Sequence, residues 1–215
     1  MNPEKLSQRF ADHVVVMDGA MGSELLQRLP EDSRMDVAAH EHPQTVLDIH
    51  LAYIEAGAEL IETATFGSSR PRLDRAKCGD LTDSVNANAV KLAREAREIS
   101  GRDVLIGGSI APLAGVLDLD EPEGRTVIPQ AHAEQAAILA GRGADLLILE
   151  TFFRVDEMAA AVAAIRDVTD LPIIGMMTFA HERPPHPYEE QAELLDELAE
   201  LDLIAVGVNL SLIHI

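Results

Sequence analysis

Lysine is nearly missing from this chain, with Lys5, Lys77 and Lys91 the whole complement in 215 residues. Arginine does not make up the difference: Lys and Arg together number 17 against 37 Asp and Glu, a formal net charge of −20. A surface this acidic cannot neutralise phosphates, so nucleic acid is excluded as a partner. Cysteine is reduced to Cys78, in the turn-like stretch "RAKCGDL". One thiol makes neither an internal disulfide nor a multi-thiolate metal site. Long apolar runs are also lacking: none approaches a membrane span, and the start "MNPEKLSQRFADH" has no signal-peptide pattern. The expectation is a cytoplasmic globular protein that is not bound to a membrane.

What is present suits one well-packed domain, since 47% of residues are hydrophobic and the length allows a sizeable core. Much of the acid lies in helical stretches such as "YEEQAELLDELAELD", where a solvated face accounts for it. Adaptation to salt is the other explanation. Short apolar runs occur at 14–19, 59–66, 103–110, 145–152, 172–179 and 203–210, most of them nearly continuous Val, Ile and Leu, as in parallel strands covered on both faces. Between them the spacing predicts helices. Residues 45–56 carry Val46, Ile49 and Tyr53 and stop at Gly57; 83–99 carry Val85, Leu92, Ala96 and Ile99 and stop at Gly101; 131–141 stops at Gly143. Asp156 can cap a helix carrying Met158, Val162 and Ile165, and 188–200 carries Leu194, Leu195 and Leu198.

Strand and helix alternate throughout, which predicts a parallel α/β fold. Two features favour a (βα)8 TIM-type barrel, represented here by about its first six βα units. "GAELIETATF" and "GADLLILETF" form an internal repeat, and a third strand also ends in Thr-Phe, giving Thr65-Phe66, Thr151-Phe152 and Thr178-Phe179. No strand runs into a GxGxxG or GxxxxGK[ST] turn, so nucleotide-binding open sheets lose support. Barrels of this type build their sites at the C-terminal ends of the strands.

Candidate chemistry lies at those ends. The first strand exits into "MDGAMGSELLQR", with Asp18 at its end, Gly19 and Gly22 allowing close backbone approach, and a helix expected from about Ser23 whose free N–H groups could hold a carboxylate. Position alone leaves it open that Asp18 merely caps that helix. Glu150 ends an otherwise apolar strand in "LETF", placed to accept from an ammonium or to act as a base, or else to sit solvated at the rim. Glu62 is the weaker candidate, because within its strand it could face the helices instead. The glycines of "GGSIAPLAG" are expected to serve packing. The histidines of "HEH" (40–42) and "HERPPHP" (181–187) lack metal-ligand spacing, and no nucleophile elbow is recognisable.

"MDGAMGSELLQR", "HPQTVLDIHLAYIEAGAELIETATFGSSRPRL", "NANAVKLAREA", "GGSIAPLAG", "GADLLILETF" and "AVGVN", in this order over nearly the whole chain, resemble the homocysteine S-methyltransferase family, which includes the homocysteine-binding domain of methionine synthase. The resemblance implies a βα barrel in which Asp18, the Gly19 and Met21 backbone, and Glu150 hold the amino-acid end of homocysteine. A zinc ion would activate the thiol for attack on a methyl donor, because coordination deprotonates a thiol whose free pKa is about 8.5. The donor could be a corrinoid-borne methyl group from a folate, S-methylmethionine or betaine. Where the family reads Thr-Asn-Thr, this chain has Thr63-Ala64-Thr65.

The zinc ligands depart further. The family places one cysteine directly after Gly-x-Asn and two more in a later Gly-Gly-Cys-Cys. Here Asn209 is followed by Leu210. No metal ligand is therefore assigned in this chain, and tight zinc binding is expected only of a full-length parent. Residues 1–209 are expected to form an incomplete homocysteine-binding barrel and 210–215 ("LSLIHI") a tail foreign to it. The expectation is a truncated reading frame, inactive as it stands, whose parent continues for roughly 70 to 90 residues. Two other readings stay open: a catalytically silent amino-acid-binding relative, and a barrel enzyme using Asp18 and Glu150 as an acid/base pair.

Overall fold

The computed structural model describes residues 3–179 and 188–210. The histidine-rich 181–187 and residues 211–215 of the expected tail lie outside the described residues. In chain order the elements are α1 (Pro3–Asp12), α2 (Met21–Arg28), α3 (Ala38–Glu41), α4 (Pro43–Ala56), β1 (Leu60–Glu62), α5 (Arg70–Arg75), α6 (Thr82–Ser100), β2 (Leu105–Ile110), α7 (Pro122–Arg142), β3 (Leu146–Phe152), α8 (Val155–Arg166), β4 (Ile173–Met177), α9 (Tyr188–Ala199) and β5 (Ala205–Val208). The strands pair in sequence order, all parallel, which is the winding of a βα barrel.

The expected strand at 14–19 is reduced to one parallel bridge, Met17 with Leu60, supported by the Asp18 N–H donating to the Leu60 carbonyl at 2.9 Å and the Glu59 N–H to the Val16 carbonyl at 2.8 Å. Val14 and Val16 are exposed, so the segment touches the sheet without being enclosed by it.

Alternation of side chains across the strands sorts the interior. Leu60, Leu105, Leu146, Ile148 and Ile174 share one apolar cluster, plugged by Leu6 and Phe10 of α1. The opposite face carries Ile61 and Ile106 under α4 and α6, and Leu147, Leu149 and Ile173 under α7 and α8. Continuing the inner rows by steps of two leads from Leu60 to Glu62, from Leu105 through Gly107 to Ser109, from Leu146 through Ile148 to Glu150, and from Ala205 through Gly207 to Asn209. The inner face is thus apolar at the strand starts and polar at their ends.

Helices α4, α6 and α7 stop at Gly57, Gly101 and Gly143, each with positive φ, as expected of C-terminal caps. Some boundaries differ from expectation. Helix α7 begins at Pro122, not at 131, and carries Pro129 inside it. Asp156 lies within the first turn of α8, where its side chain accepts from the Glu157 N–H at 2.8 Å and pairs with Arg154. Ile99 is 59% exposed, because the last turn of α6 runs past the two clusters that bury Val85 and, separately, Leu92 and Ala96.

No helix among the described residues is long and apolar enough to cross a membrane.

Candidate functional site

The mouth of the strand array brings Asp18, Glu62 and Glu150 together. Asp18 Oδ2 accepts the backbone N–H of Glu62 at 2.9 Å, so Asp18 is held by β1 and does not cap the following helix. That helix, α2, starts at Met21, two residues earlier than expected, with no side-chain cap at Ala20. A helix start leaves its first N–H groups without intrahelical partners, and here they belong to Met21, Gly22 and Ser23. Gly19 makes room for Tyr53: a Cβ there would lie 2.9 Å from the Tyr53 ring and oblige it to shift, and the Tyr53 hydroxyl donates to the Ala20 carbonyl at 3.3 Å. A Cβ at Gly22 would meet nothing within 4 Å.

Glu150 is aimed by a bulge. Leu149 pairs with Gly175 and Phe152 with Met177, so β3 holds one residue more than β4 across this stretch. Thr151 takes φ 65°, unusual for a β-branched residue. The ladder bond lost there is replaced from β5: Asn209 Oδ1 accepts the Thr151 N–H at 3.1 Å, and Asn209 Nδ2 donates to Thr151 Oγ1 at 2.9 Å. Ser109 Oγ donates to Glu150 Oε1 at 2.6 Å, and Asn209 Nδ2 reaches Glu150 Oε2 at 3.4 Å.

Glu62, the weaker candidate from sequence, continues the inner row from Leu60 toward this mouth, near enough to Glu150 for the two carboxyls to act on one another. Burial, then the charge and hydrogen bond of Glu150, then Asp18, raise its carboxyl well above the ordinary range. Asp18 is pushed up to about 7, first by burial and further by Glu150, against the opposing Glu62 N–H bond. Among the described residues no Lys, Arg or His side chain forms an ion pair with Asp18, Glu62 or Glu150. Such a cluster is suited to a cationic group.

Beneath it a hydroxyl network ties the strand ends. Thr63 Oγ1 and Thr65 Oγ1 lie 2.7 Å apart, Thr65 Oγ1 donates to the Ser109 carbonyl at 2.7 Å, and Thr178 Oγ1 donates to the Asn209 carbonyl at 2.9 Å. The Thr-Phe repeat is therefore only partly equivalent around the arc: Thr65 and Thr178 bond to the end of the next strand, Thr151 reaches past β4 to Asn209, and Phe152 and Phe179 are buried while Phe66 is 39% exposed. Ala64 packs against the apolar cluster under α2 and α4. The paired glycines serve packing as expected, since a Cβ at Gly107 would sit 2.5 Å from Ile148 Cδ1.

The described residues do not make a zinc site. No group of three His, Cys, Asp or Glu side chains able to hold a metal occurs among the described residues. Cys78, in its turn-like stretch, is 3% exposed in a cluster with Val37, Leu73 and Val85. Leu210 offers no donor atom. Sequence reasoning missed Ser109 and underrated Glu62; the step of two along each inner row was the signal that could have found both.

The chain is 29% identical over 173 residues to the S-methylmethionine–homocysteine S-methyltransferase BHMT2 of Pongo abelii, covering 80% of this chain and 44% of that protein. It is 30% identical over 171 residues to methionine synthase of Mycobacterium leprae, covering 75% and 14%. The chain thus spans less than half the length of these curated relatives. Among solved structures, the metallated form of the homocysteine methyltransferase MmuM from Escherichia coli superposes with a TM-score of 0.76 at 22% identity, covering 95% of this chain and 77% of that one. That likeness fixes the fold as part of a βα barrel. The family model for homocysteine S-methyltransferase matches residues 15–214. The chain belongs to the homocysteine S-methyltransferase family.

Proposed function

We propose that the mouth holds the amino-acid end of homocysteine, and that the protein whose barrel this chain supplies transfers a methyl group to its thiol, giving methionine. The observation that carries this reading is the pairing of an acidic cluster, with which no cation among the described residues forms an ion pair, with first-turn N–H groups of α2 that no described side chain caps. Glu150, steadied by Ser109 and the β3 bulge, receives the substrate ammonium with Asp18. The backbone from Gly19 to Met21 faces the substrate carboxylate, where the helix N-terminus favours negative charge.

In the family, zinc supplies the thiolate when it is bound. This chain's described residues do not fit a zinc site, so they contribute orientation of the amino acid and no part of thiol activation. The methyl donor is a small molecule such as the S-methylmethionine in the name of one curated relative, or the corrinoid-borne methyl group that the family resemblance implies. The absence of a thiol at Leu210 keeps a second reading alive, that of an amino-acid-binding relative without methyl transfer.

Glu150→Gln tests the assignment. Losing a charge-assisted hydrogen bond costs about 1.5–3 kcal/mol, so calorimetry should find homocysteine bound roughly ten- to a hundredfold more weakly. An unchanged affinity would remove Glu150 from the site.

A further inference from the structure

One βα unit supplies two carboxylates, Glu150 near the end of β3 and Glu157 in the first turn of α8. Glu157 is 1% exposed and has no part in the amino-acid reading. Nor does the start of α8 need it, since Asp156 already accepts the Glu157 N–H at 2.8 Å. A buried carboxylate is costly unless its bonds are specific. Here the bond goes to the neighbouring unit: Glu157 Oε1 accepts the Leu113 N–H at 2.5 Å. His132 of α7, fully enclosed, stands 3.7 Å from the same oxygen, with its ring 5.7 Å from that of Phe152.

Leu113 lies in the turn after β2, with only Ile110, Ala111 and Pro112 between it and Ser109. Proline fixes its own φ, and the Pro112 carbonyl accepts from Arg72 Nη2 at 2.7 Å. A shift of the turn is therefore passed along a short, stiff segment to Ser109. That residue stands where β2 runs out of partners. Pairing with β1 ends at Gly107, and pairing with β3 ends at Ile110 opposite Leu149, the last paired residue before the bulge. The Ser109 N–H is held only by a side chain, Thr63 Oγ1 at 3.1 Å. Ser109 with Glu150 and Leu113 with Glu157 thus form successive rungs between the same two βα units.

We propose that Glu157 is a positioning residue for the mouth: its bond to the Leu113 N–H holds the turn after β2, and through it the Ser109 hydroxyl on Glu150. For substrate binding this rests on Glu150 belonging to the amino-acid site.

Amide hydrogen exchange followed by NMR reads both ends of the turn without a ligand, against amides in the middle of α6 that report global stability. Glu157→Met keeps most of the buried volume and removes the acceptor, whereas Glu157→Gln keeps an oxygen and removes the charge. Exchange at Leu113 should quicken at least about tenfold in Glu157→Met and by a smaller factor in Glu157→Gln. Exchange at Ser109 should quicken in the same order. Leu113 quickening alone, with Ser109 at the wild-type rate, overturns the proposal, and so does an unchanged Leu113. If Glu157→Met does not fold, Glu157→Gln carries the same comparison. Homocysteine affinity should fall in the order of the Ser109 rates, and Glu157→Met should lower it no further once Ser109→Ala has removed the hydroxyl. An equal fall in both backgrounds overturns the path through Ser109. If exchange behaves as expected and homocysteine does not bind the wild-type chain, the amino-acid reading fails while the positioning of Ser109 stands.

Discussion

Asn209 Oδ1 accepts the backbone N–H of Thr151 at 3.1 Å, so the last described strand closes the bulge from which Glu150 projects. The same side chain accepts from Thr178 Oγ1 at 3.0 Å and donates to Thr151 Oγ1 at 2.9 Å. One amide therefore joins the ends of β3, β4 and β5 and holds a β-branched residue at positive φ, a conformation that costs on the order of 1–3 kcal/mol unless its surroundings fix it. Asn209→Ala leaves the Thr151 amide half-buried and unpaired. Stability should fall by about 1–3 kcal/mol in urea denaturation, and homocysteine affinity should fall with it, because the Glu150 carboxyl loses its aim. Unchanged stability would show that the bulge holds itself.

Asp18 gives stability a pH dependence of known sign. Its carboxyl is raised from 3.8 to about 7, mainly by burial, so the folded chain holds a proton that the unfolded chain has released. The contribution is full below about pH 4 and is lost as pH rises through about 7. His50 tilts the other way: fully buried, it is lowered from 6.5 to about 4, so its contribution is present above about pH 6.5 and lost as pH falls toward 4. Because the two windows overlap, the difference between wild type and Asp18→Asn carries the test. Thermal midpoints of the variant should gain on wild type as pH rises from about 4 to 8. A constant difference across that range would mean that Asp18 is ionised throughout.

Much of this was legible in the sequence, and the misses have physical causes. Asp18 and Glu150 stood out because each ends an apolar run, and a carboxylate in that position has few places to go. Glu62 was ambiguous because a short strand does not announce its phase; the pairing of Leu60 with Leu105 settles which face looks inward. Ser109 was hidden among glycines whose packing role was itself read correctly. The bulge at Glu150 and Thr151 had no sequence signal, since Thr rarely takes positive φ and does so here only with Asn209 in place. Pro129 masked the true start of α7, as a proline inside a helix usually marks a boundary. Nothing in the turn-like stretch around Cys78 announces its burial, which comes from Leu73 and Val85 of flanking helices closing over it.

The net charge of −20 implies self-repulsion in the compact state. Arg pairs such as Arg154 with Asp120 and Asp156 relieve it locally, but they leave most carboxylates uncompensated. Salt screens charges over about 8–10 Å near physiological ionic strength. The thermal midpoint should therefore rise from low to moderate salt. A flat or falling midpoint would mean that local pairing already cancels the repulsion.

Leu210 marks the place where the family resemblance puts a zinc thiolate, and it is 70% exposed directly after Asn209. Leu210→Cys would set one thiol there, and it should not by itself confer tight zinc binding. Zinc sites in proteins take about three or four protein ligands. The only other thiol, Cys78, is enclosed by Val37, Leu73 and Val85, outside the mouth. Carboxylates alone are weak partners for so thiophilic a site, and Glu150 is already engaged by Ser109. Two measurements check this. A thiol reagent should find the wild-type chain unreactive until it unfolds, and should find one reactive thiol in folded Leu210→Cys. Competition against a chromophoric chelator should show zinc held no more tightly by the variant than by wild type. Stoichiometric zinc that survives the chelator in Leu210→Cys would mean that Asp18, Glu62 or Glu150 can turn to the metal, and the assignment of the mouth to an ammonium would then have to be withdrawn.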